Sequence, residues 1–292
     1  MGSKLLVGGT GYEAKGGKVL VGGTGYSIKQ GKTLVSGTGR SISFGRPASE
    51  LSVGESVFLT VNGALTEFLV VHKGNPNTNM YDVSCDGIWI TAKYAPDVAI
   101  YYYVKDTSGD EEDAMNDGYY YKIMYHESNP HRYLNSTYYN SIEVKQRAAI
   151  KTVKIPYAVD GKYYTNTRHI KEEGVVASVF LLDVQEMRPN STYTYNGIGT
   201  TLQYFQNFEY GNDSRRAITT TSGTEVDYWT RNSYRGWNDG RFEPGAGCVR
   251  AATGNSSSTD YKIEPIKTTK KYLRPSMILS YDTKVNTQNV VI

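Results

Sequence analysis

Between Tyr228 and Leu279 the chain concentrates residue types that recognise other molecules. Arg231, Arg235, Arg241 and Arg250 alternate with Tyr234, Trp237 and Phe242 in a setting rich in Gly, Asn and Ser. Guanidinium groups and aromatic rings together make up binding hot spots, and a tryptophan with polar surroundings also suits stacking on sugars. The candidates for ligand or receptor contact are Tyr234, Arg235, Trp237, Asn238, Arg241 and Phe242. The bland alternative places Trp229 and Trp237 in the core and lets the arginines close salt bridges. Trp229, inside an apolar frame, favours that alternative. Trp237, between Gly236 and Asn238-Asp239-Gly240, favours exposure.

Catalytic chemistry has no comparable concentration. His72, His126, His131 and His169 do not show metal-ligand spacing. Pro130 lies between His126 and His131, and five positions is not a shared helical face. No nucleophile elbow, His-Glu-x-x-His pair or phosphate-loop lysine occurs. The carboxylates are too many for any one pair to be singled out. The six acidic residues from Asp106 to Asp117 sit in a Ser/Gly context and read as a solvated loop; calcium binding is the alternative, though their order is not the EF-hand ladder. The expectation is no catalytic residue, no resident metal and no cofactor.

The candidate residues need a frame. Tyr228-Trp229-Thr230-Arg231 on one side and Leu273-Arg274-Pro275-Ser276-Met277-Ile278-Leu279 on the other read as two core strands bracketing a long exposed loop, Ser233 to Asn255. Further strands are expected at Val57–Val61 and Glu67–His72, joined through Asn62-Gly63, and at Gly87–Thr91. Tyr139, Ile142, Ala149 and Ile150, spaced by charged residues, suggest a helix ending before the strand-like Val153-Lys154-Ile155.

The N-terminus is built differently. Lys4 to Tyr12, Lys18 to Tyr26 and Lys32 to Arg40 repeat one pattern at a spacing of 14 residues. A nucleotide-binding glycine turn requires a following helix within a unit of ~30 residues, for which this period leaves no room. The repeat reads instead as strand, turn, strand, three times over. Strands this short bury no core alone, so Leu6, Val7, Tyr12, Leu20, Val21, Tyr26, Leu34 and Val35 are assigned to anchoring and oligomerisation, a trimer being the first guess. The boundary falls near Pro47, giving a repeat segment over 1–46 and a globular domain over 47–292. The fold class is α+β, mostly β, with one or two short helices.

Composition narrows the partners. The net charge of +3 is spread without a basic run, which argues against nucleic acid. No apolar run approaches the ~20 residues of a membrane span, and the first residues do not read as a signal peptide. Cys85 and Cys248 are too few for a disulfide framework, consistent with synthesis in a reducing cytoplasm.

The end segments Tyr228-Trp229-Thr230-Arg231 and Leu273-Arg274-Pro275-Ser276, with Tyr133–Asn140, Ser178–Asp183 and Tyr204-Phe205, resemble a domain of unknown function common in phage and Firmicutes proteins, the DUF6273 family, a resemblance that implies a strand at Ser178–Asp183. The resemblance runs over roughly residues 53 to 285. Thr230 stands where Leu is common, and no Ser-Pro follows Arg231-Asn232. The resemblance implies a C-type-lectin-like or formylglycine-enzyme-like fold and brings no catalytic mechanism. Formylglycine-generating relatives of that fold depend on paired cysteines, and Cys248 has no second cysteine nearby.

The expectation is thus a phage virion structural protein made in the host cytoplasm. In the first reading it is a host-facing tail-fibre or baseplate protein that binds a cell-surface glycan or protein and meets other virion proteins through its repeats. In the second it is a capsid or neck decoration protein with an assembly role. A surface-polymer-degrading enzyme ranks last.

Overall fold

The structure is a computed structural model. It describes residues 45–102, 125–157, 170–187, 198–206, 215–232 and 269–292 in full, and elsewhere the backbone of strands only. The architecture is α+β with strands predominating. Two larger sheets organise the globular part, and their strands are numbered here in chain order.

The first sheet contains β1 (Ser56–Val61), β2 (Ala64–Lys73), β3 (Ile88–Ala92) and β9 (Ser276–Leu279), in the spatial order β9-β3-β2-β1 and antiparallel throughout. Asn62-Gly63 closes β1 onto β2 as the sequence predicts, with both residues at positive φ (50° and 79°). This mirror-image turn matches strand twist, and the space around Gly63 is open. In β1 the alternation puts Val57, Leu59 and Val61 inside, as expected for a strand with one buried face. By contrast, β3 and β9 are buried at every position, because other elements cover both of their faces. Trp89 in β3 is fully buried and donates from Nε1 to the carbonyls of Cys85 (2.9 Å) and Gly74 (3.1 Å).

The second sheet runs β5-β4-β6-β7-β8, from β4 (Tyr157–Val159), β5 (Thr167–His169), β6 (Tyr228–Asn238), β7 (Arg241–Val249) and β8 (Lys262–Pro265). Here the sequence reading needs a correction. Residues 233–249 are not a loop off the strands: β6 and β7 form a long antiparallel ribbon whose ladder reaches Asn238 opposite Arg241. Backbone pairing overrides the low strand propensity of its Gly, Asn and Pro residues.

Two further expectations change. The helix expected across Tyr139–Ile150 is interrupted. Helical segments Asn129–Tyr133, Leu134–Tyr138 (π-wound) and Tyr139–Ser141 follow one another, and Val144–Arg147 forms a separate turn. Ile142 is extended because the Ser141 carbonyl accepts from Asn62 N (2.8 Å) and Glu143 N donates to Thr60 O (2.9 Å). Docking against the end of β1 thus defeats helix continuation. The second change concerns Ser178–Asp183, which is not a regular strand. Phe180 bridges Ser276, while the carbonyls of Leu181 and Leu182 are taken by Arg231 instead of by a ladder. The strand expected at Val153–Ile155 is present, paired with Val175–Ala177.

The repeats form three hairpins: Lys4–Val7 with Thr10–Glu13, Lys18–Val21 with Thr24–Ser27, and Gln30–Val35 with Thr38–Ser43. Their registers correspond. Leu6, Leu20 and Leu34 stand opposite Gly11, Gly25 and Gly39. Immediately after them Arg46–Pro47 pairs with Lys284–Val285, and the Arg46 guanidinium meets Glu55 and Asn289 (2.9 Å to Asn289 Oδ1). The start of the globular part is therefore held by the end of the chain. The side chains of the eight anchoring candidates and the acidic segment Asp106–Asp117 lie outside the described residues.

Candidate functional site

All six recognition candidates fall on the β6–β7 ribbon. Tyr234 is the register partner of Gly245, Arg235 of Pro244, Trp237 of Phe242 and Asn238 of Arg241. Strand β4 reaches β6 only at Ser233, and β8 pairs with β7 from Gly245 to Cys248. Beyond those points, Arg235–Asn238 and Arg241–Pro244 pair with each other alone among the described residues. Five of the six candidates therefore share a two-stranded tip, and the side chains of all six lie outside the described residues. An isolated two-stranded ribbon is marginal in water, so its geometry depends on its root.

The root is a wide irregularity in β6. Trp229 pairs with Cys248 and Ser233 with Ala246, so four residue steps in β6 face two in β7. Thr230, Arg231 and Asn232, two more residues than the single Gly247 they face, leave the ladder and are buried. Trp229 is also fully buried, in accord with its place in the apolar frame; its indole donates to Ile100 O (2.8 Å) and meets the Tyr102 ring edge-on at 5.4 Å. Arg231, by type a recognition residue, is instead wholly enclosed. Its Nε donates to Pro156 O (2.7 Å), and Nη1 donates to Leu181 O (2.5 Å) and Glu186 Oε2 (3.1 Å). Its Nη2 donates to Glu186 Oε1 (2.6 Å).

Glu186 completes the cluster. Besides the guanidinium fork it accepts from the Tyr81 hydroxyl (2.8 Å) and from Asp183 N (2.8 Å). Asp183 precedes the short helix Val184–Met187 and caps it by accepting from Gln185 N (2.8 Å), so the two carboxylates form a reciprocal capping box. Asn232 links this box to the ribbon, with Nδ2 donating to Asp183 Oδ2 (2.9 Å) and Oδ1 accepting from Val184 N (2.9 Å). Gly199, at φ +147°, lies over the cluster; a Cβ there would stand 2.6 Å from the Tyr81 hydroxyl.

The electrostatics follow from burial. Burial pushes the Asp183 carboxyl up to about 7, with Arg231 opposing and Glu186 adding to the shift. Burial works against the Arg231 charge, but Glu186 and Asp183 outweigh it and hold the guanidinium firmly protonated. Burial, followed by the Glu186 charge, raises the Tyr81 phenol well above its ordinary range. Elsewhere, burial pushes the Cys85 thiol up to about 12 and the His72 and His131 imidazoles down to about 4. Burial is the largest cause of the Asp183, Tyr81, Cys85, His72 and His131 shifts. Among the described residues no three His, Cys, Asp or Glu side chains converge to hold a metal ion. Nor is any described helix long and apolar enough to cross a membrane.

The second sheet, the cluster residues Asp183, Glu186, Arg231 and Asn232, and β9 lie inside a segment that matches a known family model, while Tyr81 precedes it. Residues 97–281 match DUF6273, a domain of unknown function. The chain belongs to the DUF6273 family. The match is narrower than the resemblance read from the sequence: β1, β2 and β3 precede it. The DUF6273 segment nevertheless depends on them, because its strand β9 completes a sheet with β3. Neither curated proteins nor solved structures gave a match.

Sequence reasoning missed Asp183, Glu186, Tyr81 and Asn232. The Asp183-x-x-Glu186 spacing is a capping-box signal, and Asp239-Gly240 between Asn238 and Arg241 is a hairpin signal. Those two motifs were the available clues.

Proposed function

We propose that the protein is a phage virion component that displays the β6–β7 ribbon of its DUF6273 domain to bind a cell-surface glycan or protein, with the N-terminal hairpins docking it to other virion proteins or to further copies of itself. The observation that carries this reading is the clustering of Arg235, Trp237, Asn238, Arg241 and Phe242 on a two-stranded tip anchored by a buried root. Aromatic and arginine residues are the types that dominate binding hot spots, through large rigid contact area and charge-assisted hydrogen bonds. The lectin-like comparison and the phage setting rest on the family resemblance. The three hairpins of common register support a docking element, since short strand pairs leave edges to be covered. An assembly role on the capsid or neck is the second reading, and the same hairpins support it.

The test uses the full chain, labelled, against a panel of bacterial cells and surface glycans. Trp237→Ala and Arg235→Ala are expected to lower retention at least ~10-fold, as loss of a hot-spot residue does, with an unchanged circular dichroism spectrum. If the wild-type chain is retained by nothing on the panel yet co-sediments with particles, the assembly role takes its place. If either variant unfolds, the ribbon residues belong to the core and the binding reading fails.

A further inference from the structure

The small net charge of the chain conceals an uneven distribution. Residues 1–46 hold five lysines and two arginines against one acidic residue, Glu13, a net charge of +6. The whole chain carries +3, so residues 47–292 are left at −3. The lysines also recur in step with the hairpins. Lys4, Lys18 and Lys32 occupy one register position, opposite Glu13, Ser27 and Ser41. Two residues further on, and so on the same face of each hairpin, stand Leu6, Leu20 and Leu34, opposite a glycine each time. Glycine brings no side chain to that face. Each hairpin therefore repeats one pattern there: a cation, an apolar residue and a gap across from it. Only the first lysine has a carboxylate as its register partner; serine takes that position in the other two hairpins.

We propose that this face of the three hairpins docks on an acidic surface of a different protein, one whose carboxylates stand among apolar groups. The inference rests on the docking role proposed above for the hairpins, and it narrows the partner by charge complementarity. Repeat faces of two copies would set like charges against each other, which disfavours pairing between them. A polyphosphate chain would engage the lysines and leave the leucine positions without a role. A protein surface of carboxylates and apolar groups meets both members of the pattern. The lysines steer the encounter and fix its register, and the leucines lose apolar area to the partner. The 14-residue period adds multivalency, since three like contacts act on one partner and individually weak ones sum.

The full chain is tested for binding to a random copolymer of glutamate and leucine. Poly-glutamate, sodium polyphosphate and phosphatidylglycerol vesicles are the comparison probes. The copolymer is expected to bind more tightly than any of the three, and its binding to weaken as salt is raised. Lys4→Gln, Lys18→Gln and Lys32→Gln together should lower copolymer affinity by about tenfold or more. The same change at Lys145, Lys270 and Lys284, exposed lysines of the globular part, removes equal charge and should alter affinity by less than about twofold. Equal losses in the two triple variants overturn the proposal. So does polyphosphate or a vesicle bound by the wild type as tightly as the copolymer, a comparison that needs no variant to fold. Sedimentation of the chain alone, and with particles, separates this failure from failure of the docking reading. A wild-type oligomer that the first three lysine changes either strengthen or dissolve makes another copy the partner; that overturns the proposal and keeps the docking role. A chain that co-sediments with particles yet ignores the copolymer also overturns the proposal alone. A chain that neither self-associates nor co-sediments with particles nor binds the copolymer removes the docking reading as well.

Discussion

Replacing Glu186 with Gln is the most informative single change to the buried root. Glu186 accepts four hydrogen bonds, two at each oxygen, from Arg231 Nη1 and Nη2, Tyr81 Oη and Asp183 N. Glutamine has one oxygen and one NH₂ group, so either orientation leaves at least one guanidinium N–H facing a donor. The Arg231 charge then stays buried with its fork broken. Removing one partner of a buried pair costs about 3–5 kcal/mol, a large part of the ~5–15 kcal/mol that holds a typical domain together. At roughly 2–4 °C per kcal/mol for a chain of this size, the melting temperature should fall by about 6–20 °C. Arg231→Met should cost a comparable amount by stranding the carboxylate. The double variant should cost clearly less than the two singles together, because neither charge is then left without its partner. Guanidinium titration followed by the fluorescence of the buried Trp89 and Trp229 measures all four species. Two single variants within about 1 kcal/mol of wild type, or a strictly additive double variant, would refute the assignment of the ribbon root to this ion pair.

Gly199→Ala should destabilise by about 1–3 kcal/mol, since φ of +147° disfavours any side chain and the new Cβ would press on Tyr81 and Glu186; the denaturation midpoint checks it, and no change would mean the cover is loose. Acid should act through His72, whose Nδ1 accepts from Gln203 N (3.3 Å) and whose affinity for a proton is depressed to about 4 by burial. A depressed histidine is stabilising while neutral, and that contribution is lost as the pH falls from about 6.5 towards 4. His72→Gln should therefore weaken the acid dependence of stability by roughly 2–3 kcal/mol between pH 7 and pH 4, measured from denaturation midpoints across that range.

The local features were legible in the amino-acid order. Asn62-Gly63 specifies its turn because positive φ at two successive positions suits those residue types and few others. The alternation through Val57, Leu59 and Val61 and the apolar runs at Ile88–Ala92 and Met277–Leu279 marked strands of the core, since period and hydrophobicity are properties of the segment itself. The 14-residue repeat likewise excluded a dinucleotide fold by length alone. Tertiary structure decided the rest. Arg231 had the composition of a binding residue, and only the approach of Glu186, 45 positions away, made it a buried support. Ile142 carried a helical pattern that ended where its neighbours found better hydrogen bonds on the end of β1. The glycine-rich stretch after Asn232 lacked strand propensity, yet it pairs because β7 supplies the opposite ladder. In each case the deciding partner was distant in sequence, and its interaction outweighed a local preference of a few tenths to about 1 kcal/mol per residue.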